Sequence, residues 1–167
     1  MNVTRIMSKQ GKITIEYEHF NDTTELPDKR SLESSDLPVP SFSEAFNKMK
    51  WHLLTVTELP EEDLPKMHIV GIDVKYSGEA YLSVQLYGIR DVSISKSGHV
   101  LKSAWFGYDQ EGQNDEKEKN VMPAALYNDL IIVISQARAY LDGERAQEVL
   151  PFEKEDETQA DDKIVTM

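Results

Sequence analysis

Apolar and polar residues alternate along Lys12–Glu18, and this alternation is the first clear structural signal in the chain. A period of two is typical of a β-strand with one face buried. Ile6 and Met7 precede it, either in a lead-in or in an earlier strand. Residues 21–40 are rich in Asp, Ser, Thr and Pro. We therefore predict a long loop there, or a loop flanking one short strand.

Near Ser41 the apolar residues change to steps of four and three, which predicts a first helix. Ser41 and Glu44 have the spacing of a capping box, in which both side chains bond to backbone N–H groups of the first turn. Pro60 ends the helix because proline cannot continue its hydrogen bonding. The apolar stripe consists of Phe42, Phe46, Met49, Leu53 and Val56.

Alternation returns over His68–Tyr76 and Leu82–Leu86, and we predict two antiparallel strands there. Gly88 breaks the phase of the alternation, so we predict a bulge near it. Val100–Phe106 is predicted to be a last strand, or a continuation that pairs back. Residues 109–120 form an acidic loop in this prediction.

A second helix is predicted between Pro123, in its first turn, and Gly143, at its C-terminal cap. Its apolar stripe consists of Leu126, Leu130, Val133, Ala137 and Leu141. One face of an antiparallel sheet can bury the apolar stripes of both helices. We therefore predict an α+β domain with a sheet of about four to five strands packed against two amphipathic helices.

The acidic residues are concentrated towards the end of the chain, which has a formal net charge of -12 over 167 residues. Residues 142–162 contain nine acids and two bases. No hydrophobic periodicity follows Phe152, so we predict a single domain over residues 1–152 and a disordered acidic tail over residues 153–167.

Chemical signatures of catalysis and of metal binding are missing from the sequence. Without cysteine there is no disulfide, thiolate zinc site or thiol nucleophile. The four histidines lack helical metal spacing, and the eight glycines form no phosphate loop. We therefore expect no cofactor, no metal and no enzymatic activity. There is also no apolar run of about 20 residues and no secretion signal, so we expect no membrane association.

An aromatic set in the predicted sheet leaves a nucleic-acid alternative open. Tyr76, Tyr81 and Tyr87, with Lys75 and Arg90, would form a face on which single-stranded bases could stack. Packing within the sheet explains the same residues. The net negative charge makes general binding to nucleic acid unfavourable. It also suggests another alternative, an acidic mimic of nucleic acid that blocks a DNA-binding protein of the host.

A short motif directly after the second helix suggests a protein partner. Gln147, Leu150 and Phe152 have the spacing of the six-residue motif that binds the bacterial replication sliding clamp. In such peptides an extended chain places the amide in one pocket, and the two apolar side chains in another. Pro151 favours the extended form before binding. The alternative is that Leu150 and Phe152 pack back onto the domain.

Four segments within residues 11–152 carry a resemblance to a group of small acidic proteins of tailed phages and prophages. They are Pro38–Phe42, Glu58–Pro60, Gly71–Gly78 and Gly143–Gln147. The group ends in a sequence similar to Gln-x-x-Leu-Phe, from which this chain departs by inserting Pro151. The resemblance implies a phage replication-region context and the cytoplasm of a bacterial host, but no activity. Our leading prediction is a non-enzymatic phage accessory protein that binds another protein.

Overall fold

Seven strands and two α-helices make up the part of the chain that this computed structural model describes, residues 1–115 and 120–146. A 3-10 helix, Glu61–Lys66, leads into the fourth strand. The helices are α1, Pro40–Val56, and α2, Ala124–Leu141. The strands are β1 Asn2–Lys9, β2 Lys12–Phe20, β3 Pro27–Ser34, β4 Met67–Ser77, β5 Tyr81–Val92, β6 Ser95–Lys102 and β7 Phe106–Asp109.

The strands form one antiparallel sheet in the order β3-β2-β1-β4-β5-β6, with β7 also paired to β5. This confirms the predicted α+β class with an antiparallel sheet. The strand number is higher than the predicted four to five. The end of the predicted domain at residue 152 and the predicted tail 153–167 lie outside the described residues.

β3 and β1 account for most of the difference in strand number. β3 lies in the interval that is predicted to be mainly loop, and all eight of its residues pair with β2. It contains little apolar surface because it is an edge strand, and only Leu32 among its residues packs against the core. β1 pairs with both β2 and β4 and therefore lies inside the sheet.

Both helices cover the same face of the sheet and bury their apolar stripes there. The predicted stripe of α1 is buried from Phe42 to Leu53, and the stripe of α2 is buried from Leu126 to Ala137. Gly143 ends α2 with a positive φ of 106°, as the predicted cap requires. The sheet contributes the other half of the core, including Val3, Ile6, Ile15, Ile72, Val74, Leu82, Val84 and Leu86.

The predicted capping box at the start of α1 is wrong. The helix begins at Pro40 with Val39 as the capping residue, and no side chain bonds to its first turn. Ser41 Oγ instead lies 3.0 Å from Gln136 Oε1 of α2. Proline at the first helical position has a suitable φ and no N–H group to satisfy, so this helix starts without a side-chain cap.

The bulge predicted near Gly88 lies in the strand opposite it. Ile69 pairs with Gly88 and Gly71 pairs with Tyr87, so Val70 is the extra residue of β4. Gly88 itself is buried where α1 crosses the sheet. A Cβ atom at Gly88 would lie 2.3 Å from Leu53 Cδ2 and 2.7 Å from the backbone oxygen of His68.

We expect Gly88→Ala to lower the free energy of unfolding by at least about 1 kcal/mol, because the added methyl group meets backbone that cannot move aside. Gly107→Ala is the matched control. The three atoms nearest to its Cβ would all belong to the Tyr81 side chain, which is 43% exposed and can rotate away. Urea unfolding of both variants measures the difference, and equal stabilities would contradict the close packing of α1 on Gly88.

Candidate functional site

The sheet surface opposite the helices, here called the open face, has a polar centre built around Asp73. Arg5 donates two hydrogen bonds to the Asp73 carboxylate, at 2.6 Å from Nε to Oδ1 and 3.0 Å from Nη2 to Oδ2. Arg5 and Asp73 are paired residues of β1 and β4, so both side chains leave the sheet on the same side. The Asp73 side chain is only 11% exposed.

Tyr87 completes this centre from β5, donating a hydrogen bond of 2.6 Å from its hydroxyl to Asp73 Oδ2. Burial raises the pKa of Asp73, but the hydrogen bonds from Arg5 and Tyr87 outweigh it and hold the pKa below its ordinary value. Burial and the bond to Asp73 raise the pKa of Tyr87. The carboxylate therefore stays charged and fully engaged with its neighbours, which is typical of a structural ion pair.

A groove of about 560 Å³ lies along the open face beside Arg5 and Asp73. Its wall includes Trp105, whose ring centroid is 4.0 Å from Lys75 Nζ. The residues that line the groove carry charges of both signs: the bases are Arg5, Lys29, Arg30 and Lys75, and the acids are Glu16, Glu18 and Asp73. Such a mixed lining gives no strong preference for an anionic ligand.

The five residues of the nucleic-acid alternative fall on both sides of the sheet. Tyr81, Tyr87 and Lys75 belong to the open face. Tyr76 pairs with the buried Leu82 on the helix side, and its hydroxyl donates to the Val3 carbonyl oxygen. Arg90 also lies on the helix side, where its Nη2 is 2.9 Å from Asp63 Oδ1. The structure therefore does not bring the five together into one stacking surface.

A second cluster, here called the C-terminal anchor, fixes the chain where it leaves α2. The Arg145 guanidinium lies 3.4 Å from the ring centroid of Tyr140, and its Nε is 3.4 Å from Asp36 Oδ2. Arg145 Nη1 donates to the Tyr140 carbonyl oxygen, and the Tyr140 hydroxyl donates to the Asp36 carbonyl oxygen at 2.7 Å. Finally, the Ala146 N–H donates to the Leu37 carbonyl oxygen at 2.9 Å.

The C-terminal anchor ends at the residue that precedes the predicted motif. Gln147, Leu150 and Phe152 themselves lie outside the described residues. The anchor nevertheless determines where the motif begins, because the backbone of Ala146 is bonded to the segment before α1. Any path of the following residues therefore starts at the surface beside Leu37, which is 69% exposed.

No sequence pattern points to Asp73 or Asp36 as members of these clusters. Asp73 sits at a polar position of an alternating strand, where a solvated side chain is the usual expectation. Its partner Arg5 is 68 residues away, and the partner of Asp36, Arg145, is 109 residues away. Asp73 and Arg145 do lie in segments that resemble the phage group, Gly71–Gly78 and Gly143–Gln147, but that resemblance assigns no role to either residue.

Within residues 1–115 and 120–146, no group of three or more His, Asp or Glu side chains is arranged to hold a metal ion. The helices of that same part of the chain are too short or too polar to cross a membrane. No protein-family model, curated protein or solved structure matches the chain. Function is therefore inferred from its own residues.

Proposed function

We propose that this chain is a phage or prophage accessory protein that acts by binding another protein through residues 147–152. The candidate partner is the replication sliding clamp of the bacterial host. In this proposal the Gln147 amide hydrogen-bonds in one pocket of the clamp, while Leu150 and Phe152 fill an apolar one. The domain carries the segment and has no catalytic role.

The C-terminal anchor is the observation that supports this proposal. Peptide motifs of this kind bind in an extended form, so they need a chain that can leave the surface of its own domain. The bond between Ala146 and Leu37 holds the chain up to the last residue before Gln147. The domain thus fixes one end of the motif at its surface, where a partner can reach the residues that follow.

We expect the full chain to bind purified clamp, and Leu150→Ala with Phe152→Ala to weaken binding at least about tenfold, because both apolar side chains lose their pocket. Glu153→Ala with Glu155→Ala is the matched control, since it alters two residues just beyond the motif. Fluorescence polarisation with a labelled peptide of residues 143–156, displaced by the unlabelled chains, measures the affinities.

Absence of binding by both the peptide and the full chain, with a known clamp-binding peptide active in the same assay, would contradict the proposal. So would equal affinities of the apolar double variant and the wild-type chain. A weaker affinity of the acidic control alone would point to charge attraction instead of pocket filling, and would also contradict it.

The acidic-mimic alternative receives less support from the described surface. Its acids are interleaved with bases in ion pairs, such as Lys12 with Glu33 at 2.8 Å and Arg5 with Glu16 at 3.6 Å. A mimic needs carboxylates clustered on one rigid face.

The single-strand alternative is weakened because Tyr76 and Arg90 lie on the helix side of the sheet. A gel shift with single-stranded DNA at about 50 mM salt tests it directly, since electrostatic binding is strong at low ionic strength. A clear shift at that salt concentration would favour this alternative over the protein-binding proposal.

A further inference from the structure

A small apolar notch lies beside the C-terminal anchor, between the β1–β2 hairpin and the start of α1. Its volume is about 100 Å³, which suits one aliphatic side chain and is too small for most ligands. The polar residues of its lining are Ser8, Ser43 and Asn47. The apolar part of the lining is formed by Ile6, Met7, Ile13, Pro38, Phe42 and Phe46.

The described chain ends next to this notch. The backbone of Ala146 is bonded to the carbonyl oxygen of Leu37, and the next residue, Pro38, forms part of the notch wall. The first residues after Ala146 therefore start within a short distance of the opening.

The sequence after Ala146 contains an apolar side chain that is close enough along the chain to reach the notch. Leu150 is the fourth residue after Ala146, and an extended chain spans about 3.3–3.6 Å per residue. It can therefore lie up to about 14 Å from the anchor.

We propose that, without a partner, the notch holds the Leu150 side chain of the same chain. Occupation of the notch removes apolar surface of both Leu150 and the notch from water, which is favourable. The consequence for a partner rests on the proposed function, since Leu150 is also a residue of the motif. The two contacts exclude each other, and the notch then reduces the affinity of the motif.

Weak docking is sufficient for this effect because the segment is tethered. A short tether gives an effective concentration of about 1 mM. A free peptide that binds the notch with a dissociation constant of about 1 mM would, as a tethered segment, therefore occupy the notch about half of the time. We expect the isolated peptide 143–156 to bind the partner about two- to tenfold more tightly than the full chain.

Disulfide trapping in the full-length protein tests the docking without any partner, and the cysteine-free chain gives a clean background. Asn47→Cys places a thiol at the notch, and Val149→Cys places one beside Leu150. Ser41→Cys with Val149→Cys is the matched control. Ser41 is exposed and nearer in sequence to Pro38, but its side chain faces Gln136 of α2.

We expect the intramolecular disulfide between positions 47 and 149 to form at least about tenfold faster than the one between positions 41 and 149, because docking raises the local concentration of the thiol at the notch. Mobility on a non-reducing gel measures both rates. Adding Leu150→Ala to the 47/149 pair should abolish the difference, because the side chain that docks is gone. Thermal unfolding of each reduced variant checks that the domain is intact.

Equal rates for the two pairs would overturn the proposal, and so would a rate that Leu150→Ala leaves unchanged. Disulfide-linked dimers as the main product would show that a second copy supplies the segment, and would also overturn it. The trapping rates are measured without a partner and do not depend on clamp binding. The proposed function and the docking of Leu150 can therefore be refuted independently.

Discussion

Tyr140→Ala is expected to lower the free energy of unfolding by about 3–5 kcal/mol, the usual range for loss of a buried aromatic side chain. Tyr140 is 1% exposed, and its ring meets Phe42 of α1 edge-on with centroids 5.7 Å apart. The same ring supports the Arg145 guanidinium, and its hydroxyl bonds to the Asp36 carbonyl oxygen. The substitution thus leaves a cavity and removes the centre of the C-terminal anchor.

Tyr140→Phe separates the two contributions, because it keeps the ring contacts and removes only the hydroxyl. We expect a cost of about 1 kcal/mol, as for a single neutral hydrogen bond. Urea unfolding measures both variants. Equal losses of unfolding free energy in the two variants would show that the packing of the Tyr140 ring contributes little. That result would contradict the place of this ring at the centre of the C-terminal anchor.

The second large effect is expected at the polar centre of the open face. Asp73→Ala removes the partner of Arg5 and of the Tyr87 hydroxyl, and we expect a loss of about 2–3 kcal/mol. Glu33→Ala is the control, because its ion pair with Lys12 joins two side chains that are each 59% exposed. Surface pairs of this kind contribute little to stability, so its thermal midpoint should match that of the wild-type protein.

The contribution of Asp73 should also depend on pH in a defined direction. Because the pKa of Asp73 in the folded protein lies below its ordinary value, its stabilisation is complete only above about pH 5, where the carboxyl of the unfolded chain is also ionised. It is lost as the pH falls through the folded pKa, since the unfolded chain binds the proton first. The stability difference between wild type and Asp73→Asn should therefore shrink steadily as the pH falls below about 5. A difference that stays constant over this range would contradict the assigned pKa direction.

Both predictions concern clusters that sequence patterns do not reveal, and the reason is the distance along the chain. Asp73 and Arg5 meet because β1 pairs with β4, and this pairing is decided by how the strands assemble. Periodicity assigns Asp73 to the polar side of its strand, which is correct. It cannot show that Arg5 and Tyr87 cover the carboxylate there.

Alternation of apolar and polar residues predicts the side of the sheet for some residues of the nucleic-acid alternative, but not for all of them. Tyr76 continues the phase of Ile72 and Val74, which are core residues, so its place on the helix side follows from the pattern itself. For Arg90 the pattern is ambiguous after Gly88. In the structure the extra residue is Val70 of the opposite strand, so β5 keeps its own phase through Gly88 and Arg90 lies on the same side as Leu86.

Local patterns are enough to specify both helices, the central strands and the α+β class, because each depends on a hydrophobic period and on prolines and glycines at its ends. The edge strand β3, the start of α1 and the polar centre of the open face depend instead on contacts made during assembly. β3 has almost no apolar side chain, so it becomes a strand only through backbone hydrogen bonds to β2. The place where the chain leaves the domain beside Leu37 is likewise fixed by contacts between residues about a hundred positions apart, which no local period encodes.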